Sequence, residues 1–221
     1  MRIVKFDNYD EMSAFVADLF ASQLKLKPES VLGLATGSSP LGTYAQMIEK
    51  NKAGEVDFSK AKSVNLDEYA GLSGDHDQSY RYFMNKNLFE KINIDINNTR
   101  VPSGISEDPD KMCKEYDEAI DAAGGIDLQL LGIGENGHIA FNEPGTPFNS
   151  LTHVAELAQS TIEDNSRFFN SIEEVPTKAV TMGLASIMKA KKIVLIATGE
   201  NKADAIQGLL KGLVTEQLPC S

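Results

Sequence analysis

Tryptophan is absent from the 221 residues, and Cys113 and Cys220 are the only cysteines. Two cysteines cannot build a disulfide framework, and neither belongs to a Cys-x-x-Cys pair, which suits a reducing cytosol. With three histidines, a histidine-rich metal site is not expected. Long apolar runs are missing too. The longest, such as Ile193-Val194-Leu195-Ile196-Ala197, fall far short of the roughly 18 residues that span a bilayer. The opening residues show no charged, apolar, then small-residue leader, so a cytoplasmic protein is expected rather than an exported one. Positive charge is scarce: 21 Lys+Arg against 32 Asp+Glu leave a net charge of -11. Such a chain repels nucleic-acid phosphates and anionic membrane surfaces at long range, so neither is an expected partner. A small anion would have to be held by a few local cations and backbone N–H groups.

What is present is ordinary for a folded enzyme-sized domain. A hydrophobic fraction of 42% with 24% charged residues is enough apolar material for a core and argues against disorder. Short apolar runs alternate with helical patterns, the mark of a βα succession. Met12, Phe15, Val16, Leu19 and Phe20 form a helical stripe with Asp10 as its expected N-cap. Val31-Leu32-Gly33-Leu34-Ala35 reads as a buried strand, followed by Leu41, Tyr44, Ala45 and Ile48 at helical spacing. Ser63-Val64-Asn65-Leu66 reads as a second strand. Tyr80, Phe83, Met84 and Leu88 predict a helix, as do residues 112–123. Residues 126–133 and 193–197 read as strands, and Val180, Leu184, Ile187 and Met188 as a helix. Ile206, Leu209, Leu210 and Leu213 close with another. No repeat or linker divides the chain. The expectation is one doubly wound, mostly parallel α/β domain over residues 1–221, with ligands at the carboxyl ends of the strands.

Three loops at strand ends carry candidate chemistry. Thr36-Gly37-Ser38-Ser39-Pro40 joins a strand to a helix. Hydroxyls and free N–H groups at a helix N-terminus make an anion site, although the same residues also make a simple capped turn. No Gly-Lys-Ser/Thr follows, so it is not a Walker loop. Asn65-Leu66-Asp67-Glu68-Tyr69 places a carboxylate at a strand tip, where it can serve as a general base or merely as a turn residue. Gly132-Ile133-Gly134-Glu135-Asn136-Gly137-His138 matches the spacing of a dinucleotide fingerprint. That fingerprint must open a helix, and Phe141-Asn142-Glu143-Pro144-Gly145-Thr146-Pro147 argues against one. A loop presenting His138 beside Asn136 and Glu143 is the better reading.

Taken together, Leu34-Ala35-Thr36-Gly37-Ser38-Ser39-Pro40, Asn65-Leu66-Asp67-Glu68-Tyr69 and the run from Gly134 to Pro144 resemble the signatures of the glucosamine-6-phosphate deaminase family. Asn165-Ser166-Arg167-Phe168-Phe169 and Thr198-Gly199-Glu200-Asn201-Lys202-Ala203 extend the resemblance along essentially the whole chain. It implies a Rossmann-like fold with helices on both faces of the sheet. It also implies conversion of D-glucosamine 6-phosphate and water to D-fructose 6-phosphate and ammonia, in amino-sugar catabolism, with no cofactor and no metal. Carried over by position, Asp67 is the enolisation base. His138 is the ring-opening base, with Asn136 and Glu143 as its partners. Thr36, Gly37, Ser38, Ser39, Arg167 and Lys202 are the phosphate site. The chemistry is coherent: an imidazole of ordinary pKa near ~6.5 can both take and return the ring-opening proton. Some family members carry Asp where Asn136 stands, and an amide can orient His138 without offsetting its charge. The chain ends at Leu218-Pro219-Cys220-Ser221, where members usually continue into one more strand. Its length resembles the short members, so a monomer or low-order homo-oligomer acting on a small sugar phosphate is expected.

Two rival readings share these features. A 6-phosphogluconolactonase has the same fold and a similar histidine loop, but lactone hydrolysis has no need of the Asp67 segment. A catalytically silent sugar-phosphate sensor would be expected to lack Asp67 or His138. Asp75-His76-Asp77 has no preorganised ligand spacing and reads as a solvated loop.

Overall fold

The computed structural model describes residues 1–221 apart from the side chains of residues 160, 164 and 168. The chain runs α1 (Tyr9–Leu26), β1 (Val31–Leu34), α2 (Leu41–Lys52), β2 (Lys62–Asn65), β3 (Asp67–Tyr69), α3 (Tyr80–Asn87), β4 (Thr99–Arg100), α4 (Pro109–Ala122), β5 (Leu128–Leu131), β6 (His153–Glu156), α5 (Gln159–Asn165), β7 (Lys178–Thr181), α6 (Leu184–Met188), β8 (Ile193–Leu195) and α7 (Ala203–Leu210), with short 3-10 turns between. Strand order is β4-β2-β1-β5-β8, and every pairing in that sheet is parallel. The period of two in each strand divides its side chains between two cores. Leu32, Leu34, Leu128 and Leu130 pack with Val16, Phe20, Tyr44, Met47 and Met84 of α1, α2 and α3. Val31, Val64 and Leu131 face the other way, onto Tyr116, Ile120, Leu184, Ile187 and Ala205 of α4, α6 and α7. Helices therefore cover both faces, as expected for a doubly wound sheet. Among the described residues, no helix is long and apolar enough to cross a membrane.

Several details depart from the sequence reading, which gives no strand at β4 and carries the last helix on to Leu213, past its end at Leu210. The cap of α1 is Asn8, whose extended backbone and Oδ1 receive the Glu11 N–H at 2.9 Å. Asp10 instead lies in the first turn, where its charge favours the helix dipole. Val180 is not helical: it pairs with Glu68 and Val154 in a second, antiparallel sheet of order β3-β7-β6. That sheet is not visible in the sequence because its strands, Asp-Glu-Tyr, His-Val-Ala-Glu and Lys-Ala-Val-Thr, carry no apolar run like that of β1.

The two sheets meet at one residue. The N–H of Leu66 donates to the Leu34 carbonyl of the parallel sheet at 3.3 Å, while its own carbonyl accepts from Met182 at 2.7 Å. Asp67 is thus the first residue after the change of sheet.

At the opposite, amino-terminal edge, the carboxylate of Asp127 accepts from Lys27 at 2.8 Å, Lys191 at 2.7 Å and the Val31 N–H at 2.9 Å. Burial pushes this carboxyl up, but the bonds from Lys191, Lys27 and Val31 outweigh it and leave Asp127 below the usual range. A depressed carboxyl adds stability above its unfolded pKa and loses it as pH falls through the folded one. The lysines are about half exposed, at 42% and 52%, so screening keeps the contribution modest. Asp127→Ala should cost about 1–3 kcal/mol at pH 7, with the deficit shrinking below the ordinary carboxyl value of 3.8. Urea unfolding at both pH values measures this; an unchanged midpoint at pH 7 contradicts it.

Candidate active site

The carboxyl ends of parallel strands share one edge, and the loops leaving them share one surface. Residues 36–39 follow β1, Asp67 follows β2, residues 132–138 follow β5, and Lys202 lies in the turn after β8. Asn201 donates to Glu135, which ties the Lys202 turn to the histidine loop. Arg167 comes from elsewhere, on the 3-10 turn Ser166–Phe168 after α5. Two residues on, Phe169 packs edge-on to Tyr69 with ring centroids 5.8 Å apart. The phosphate candidates are therefore spread over three segments. Among the described residues, the hydroxyls of Thr36, Ser38 and Ser39 and the N–H groups of residues 37–39 have no protein partner.

Asn136, His138 and Glu143 form one cluster. The side-chain amide of Asn136 donates to Glu143 Oε2 at 2.8 Å, and its Oδ1 accepts from the backbone N–H of His138 at 3.1 Å. His138 Nδ1 stands 3.6 Å from Glu143 Oε2, an ion-pair distance when the ring is charged and too long for a hydrogen bond. Asn136 thus holds His138 through the main chain and through Glu143. No helix follows the glycine run: Ile139 bridges Asn142 across a tight turn, and Asn142 anchors that turn by donating to the Ile139 and Met182 carbonyls at 2.9 and 2.8 Å. Gly134 is required by close approach, since a Cβ there would lie 2.3 Å from the His138 ring.

Sequence reasoning missed Thr161. Its hydroxyl donates to Glu143 Oε1 at 2.6 Å, so both carboxylate oxygens are engaged. Burial raises the Glu143 carboxyl, but His138, Thr161 and Asn136 together hold it at about 2. A threonine in the first turn of a short helix carries no local signal of such a contact.

The acidic pair after β2 separates into two roles. Glu68 accepts from the N–H groups of Tyr69 and Tyr80 at 2.9 Å and of Arg81 at 3.0 Å, so it fastens the start of α3. Asp67 is 6% exposed, and among the described residues its carboxyl accepts no hydrogen bond. Burial first, then the neighbouring charge of Glu68, pushes it up to about 8. Among the described residues, no group of His, Cys, Asp and Glu could hold a metal ion. His76 makes exposed local contacts alone, its Nδ1 accepting the Gln78 N–H at 3.1 Å and standing 3.4 Å from Asp77.

The raised Asp67 carboxyl has a thermodynamic consequence. A folded pKa above the unfolded one gives stability that is complete below the unfolded value and is lost as pH rises through the folded value. For Asp67 that window runs from 3.8 to about 8. Asp67→Asn should therefore melt higher than the parent at pH 9 and level with it near pH 4. Melting curves across that range decide it; parallel curves would show that Asp67 is not strained by ionisation.

The family described as glucosamine-6-phosphate isomerases/6-phosphogluconolactonase matches residues 7–221. The chain is 56% identical over 221 residues to a glucosamine-6-phosphate deaminase of Clostridium perfringens (strain 13 / Type A), covering 100% of this chain and 91% of that protein. It is also 56% identical to one of Thermoanaerobacter sp. (strain X514), covering 100% of this chain and 87% of that protein. The solved structure of a monomeric glucosamine-6-phosphate deaminase superposes with a TM-score of 0.98 at 44% identity, over 100% of this chain and 91% of that one. A 6-phosphogluconolactonase from Thermotoga maritima shares the fold alone, with a TM-score of 0.76 at 22% identity over 99% of this chain and 91% of that one. By the extent of these matches, the chain belongs to the family of glucosamine-6-phosphate isomerases and 6-phosphogluconolactonases.

Proposed function

We propose that this chain is a glucosamine-6-phosphate deaminase, converting D-glucosamine 6-phosphate and water to D-fructose 6-phosphate and ammonia. The observation that carries the reading is Asp67, a buried carboxyl held at about 8 on the same sheet edge as the His138 loop. Enolisation needs such a base, and lactone hydrolysis does not. Relatives that share 54–56% identity over the full chain carry the deaminase name, whereas the lactonase of Thermotoga maritima shares 22%.

In this reading the neutral imidazole of His138 takes the proton of the anomeric hydroxyl and a proton passes to the ring oxygen, which opens the pyranose. Glu143, ionised and held by Asn136 and Thr161, offsets the imidazolium charge. Asp67 removes the C2 proton and returns it at C1 while O1 gains a proton and the amino group gives one up, converting the open 2-amino aldose to the C2 imine. Water adds to C2 and ammonia leaves. These steps move only protons and water, so they call for no electron carrier. Residues 36–39, Arg167 and Lys202 bind the phosphate through hydroxyls, N–H groups and two cations. The protein acts as a single domain on this small molecule in the cytoplasm. Its net charge of -11 disfavours nucleic acid, and the monomeric state of the deaminase at 44% identity supports a monomer here.

Several measurements test this. Glucosamine 6-phosphate should release ammonia, while 6-phosphogluconolactone should yield no acid above background; the reverse result replaces the reading with the lactonase. Unphosphorylated glucosamine should be a very poor substrate, and Lys202→Ala should raise KM roughly tenfold or more, the worth of a charge-assisted bond. In Asp67→Asn, exchange of the C2 proton with solvent should fall by about 10²-fold or more. Exchange at the original rate would place the base elsewhere.

A further inference from the structure

The amino-terminal helix reaches the phosphate loop through a single side chain. Tyr9, the first residue of α1, donates its hydroxyl to the Ser39 carbonyl at 2.9 Å, with the Ser38 carbonyl 3.2 Å away, and accepts from the Gly42 N–H at 2.7 Å. These contacts span about thirty residues of sequence. Gly42 is the second residue of α2, where an N–H has no partner inside the helix, so the phenol takes up a donor that would otherwise be left over.

We propose that Tyr9 is a positioning residue for the phosphate loop, fixing its peptide planes so that carbonyls face α1 and the Ser39 N–H faces the anion. The inference rests on the assignment of residues 36–39 to the phosphate. In a trans peptide the carbonyl and the following N–H point to opposite sides. Holding the Ser38 carbonyl toward Tyr9 therefore aims the Ser39 N–H away from Tyr9, and that N–H has no partner among the described residues. The Leu41 N–H also reaches the Ser38 carbonyl, at 3.3 Å, whereas the Ser39 carbonyl has no donor but Tyr9 among the described residues; a carbonyl free to turn toward a dianion would repel it. Tyr9 itself spends its hydroxyl on the loop, so it acts through the loop and not on the ligand. The buried Tyr44 does the same at the loop's start, accepting from the Ala35 N–H and donating to the Ala35 carbonyl.

A second observation points the same way. A Cβ at Gly42 would lie 2.7 Å from Tyr9 Cε1 and 2.4 Å from Ser13 Oγ. The absence of a side chain at residue 42 is what lets α1 close onto the loop, and the Tyr9–Gly42 pair forms one unit.

The test uses Tyr9→Phe, which keeps the ring, and Gly42→Ala, which keeps the hydroxyl but displaces it. Tyr9→Phe should raise both the KM for glucosamine 6-phosphate and the inhibition constant of inorganic phosphate by about threefold to tenfold, the worth of one neutral hydrogen bond. The kcat should stay within about twofold, and turnover of unphosphorylated glucosamine should not fall. Gly42→Ala should shift the same two constants, and the double variant should be less than additive, because both changes break one contact. Unchanged constants in Tyr9→Phe overturn the proposal when Lys202→Ala still weakens phosphate binding. If neither variant changes phosphate binding, the phosphate assignment itself fails. Equal losses of kcat for glucosamine and its 6-phosphate, with the phosphate constant unmoved, would mean general damage and also overturn it.

Discussion

The hand-over at Leu66 is the constraint on which the site depends. One residue serves two sheets: its N–H donates to β1 and its carbonyl accepts from the residue after β7. Beyond that point the chain leaves the parallel sheet, and Asp67 pairs with Thr181 of β7. There it is buried and its ionisation becomes costly. A carboxyl one residue earlier would still lie in the parallel ladder. The same join brings β7 beside the histidine loop, where Thr181 accepts the Phe141 N–H at 3.1 Å and Met182 accepts from Asn142. Asp67 and His138 are thus referred to the same piece of backbone.

Around this join the molecule uses opposite electrostatic settings for two carboxyls of one site. Asp67 lacks donors and is pushed up to about 8. Glu143, with donors on both oxygens and an imidazole nearby, is held at about 2. Environments that drive two acids apart are how one fold separates a proton acceptor from a fixed charge. The reaction proposed here needs both, a group that can take and return a proton and another that stays ionised while the imidazole charges. The hydrogen bonds that make the difference come from Thr161 and Asn136 for Glu143, and from nothing comparable for Asp67.

The rest of the structure holds these parts still. Asp127 closes the far edge of the sheet with two lysines, Glu68 fastens α3 under the base, and Tyr9 and Tyr44 grip the two ends of the loop after β1. The aromatic rings of Tyr69, Tyr80 and Phe141 pack together beside Asp67, with Tyr80 and Phe141 stacked 5° from parallel. Catalytic geometry built this way is set by strand ends and packed rings, which keeps the loops short and anchored.

The sequence by itself determined four of the five strands of the parallel sheet and most of the helices around it, because runs such as residues 31–35 and stripes such as Met12, Val16 and Phe20 carry their period locally. It also singled out the candidate loops, since glycine, hydroxyl and acidic residues at strand ends are visible one segment at a time. It did not disclose the antiparallel sheet, whose pairing partners stand far apart in the chain and whose strands carry no apolar run like that of β1. The resemblance singled out Asp67 over Glu68, but what separates them physically, burial of one and a set of N–H donors from α3 on the other, is tertiary. Thr161 reaches Glu143 across 18 residues and Tyr9 reaches Ser39 across 30. Contacts of that span are made only when the chain folds back on itself, so the tertiary structure alone decided which carboxyl is held ionised, which is pushed toward its neutral form, and how the loop after β1 is held.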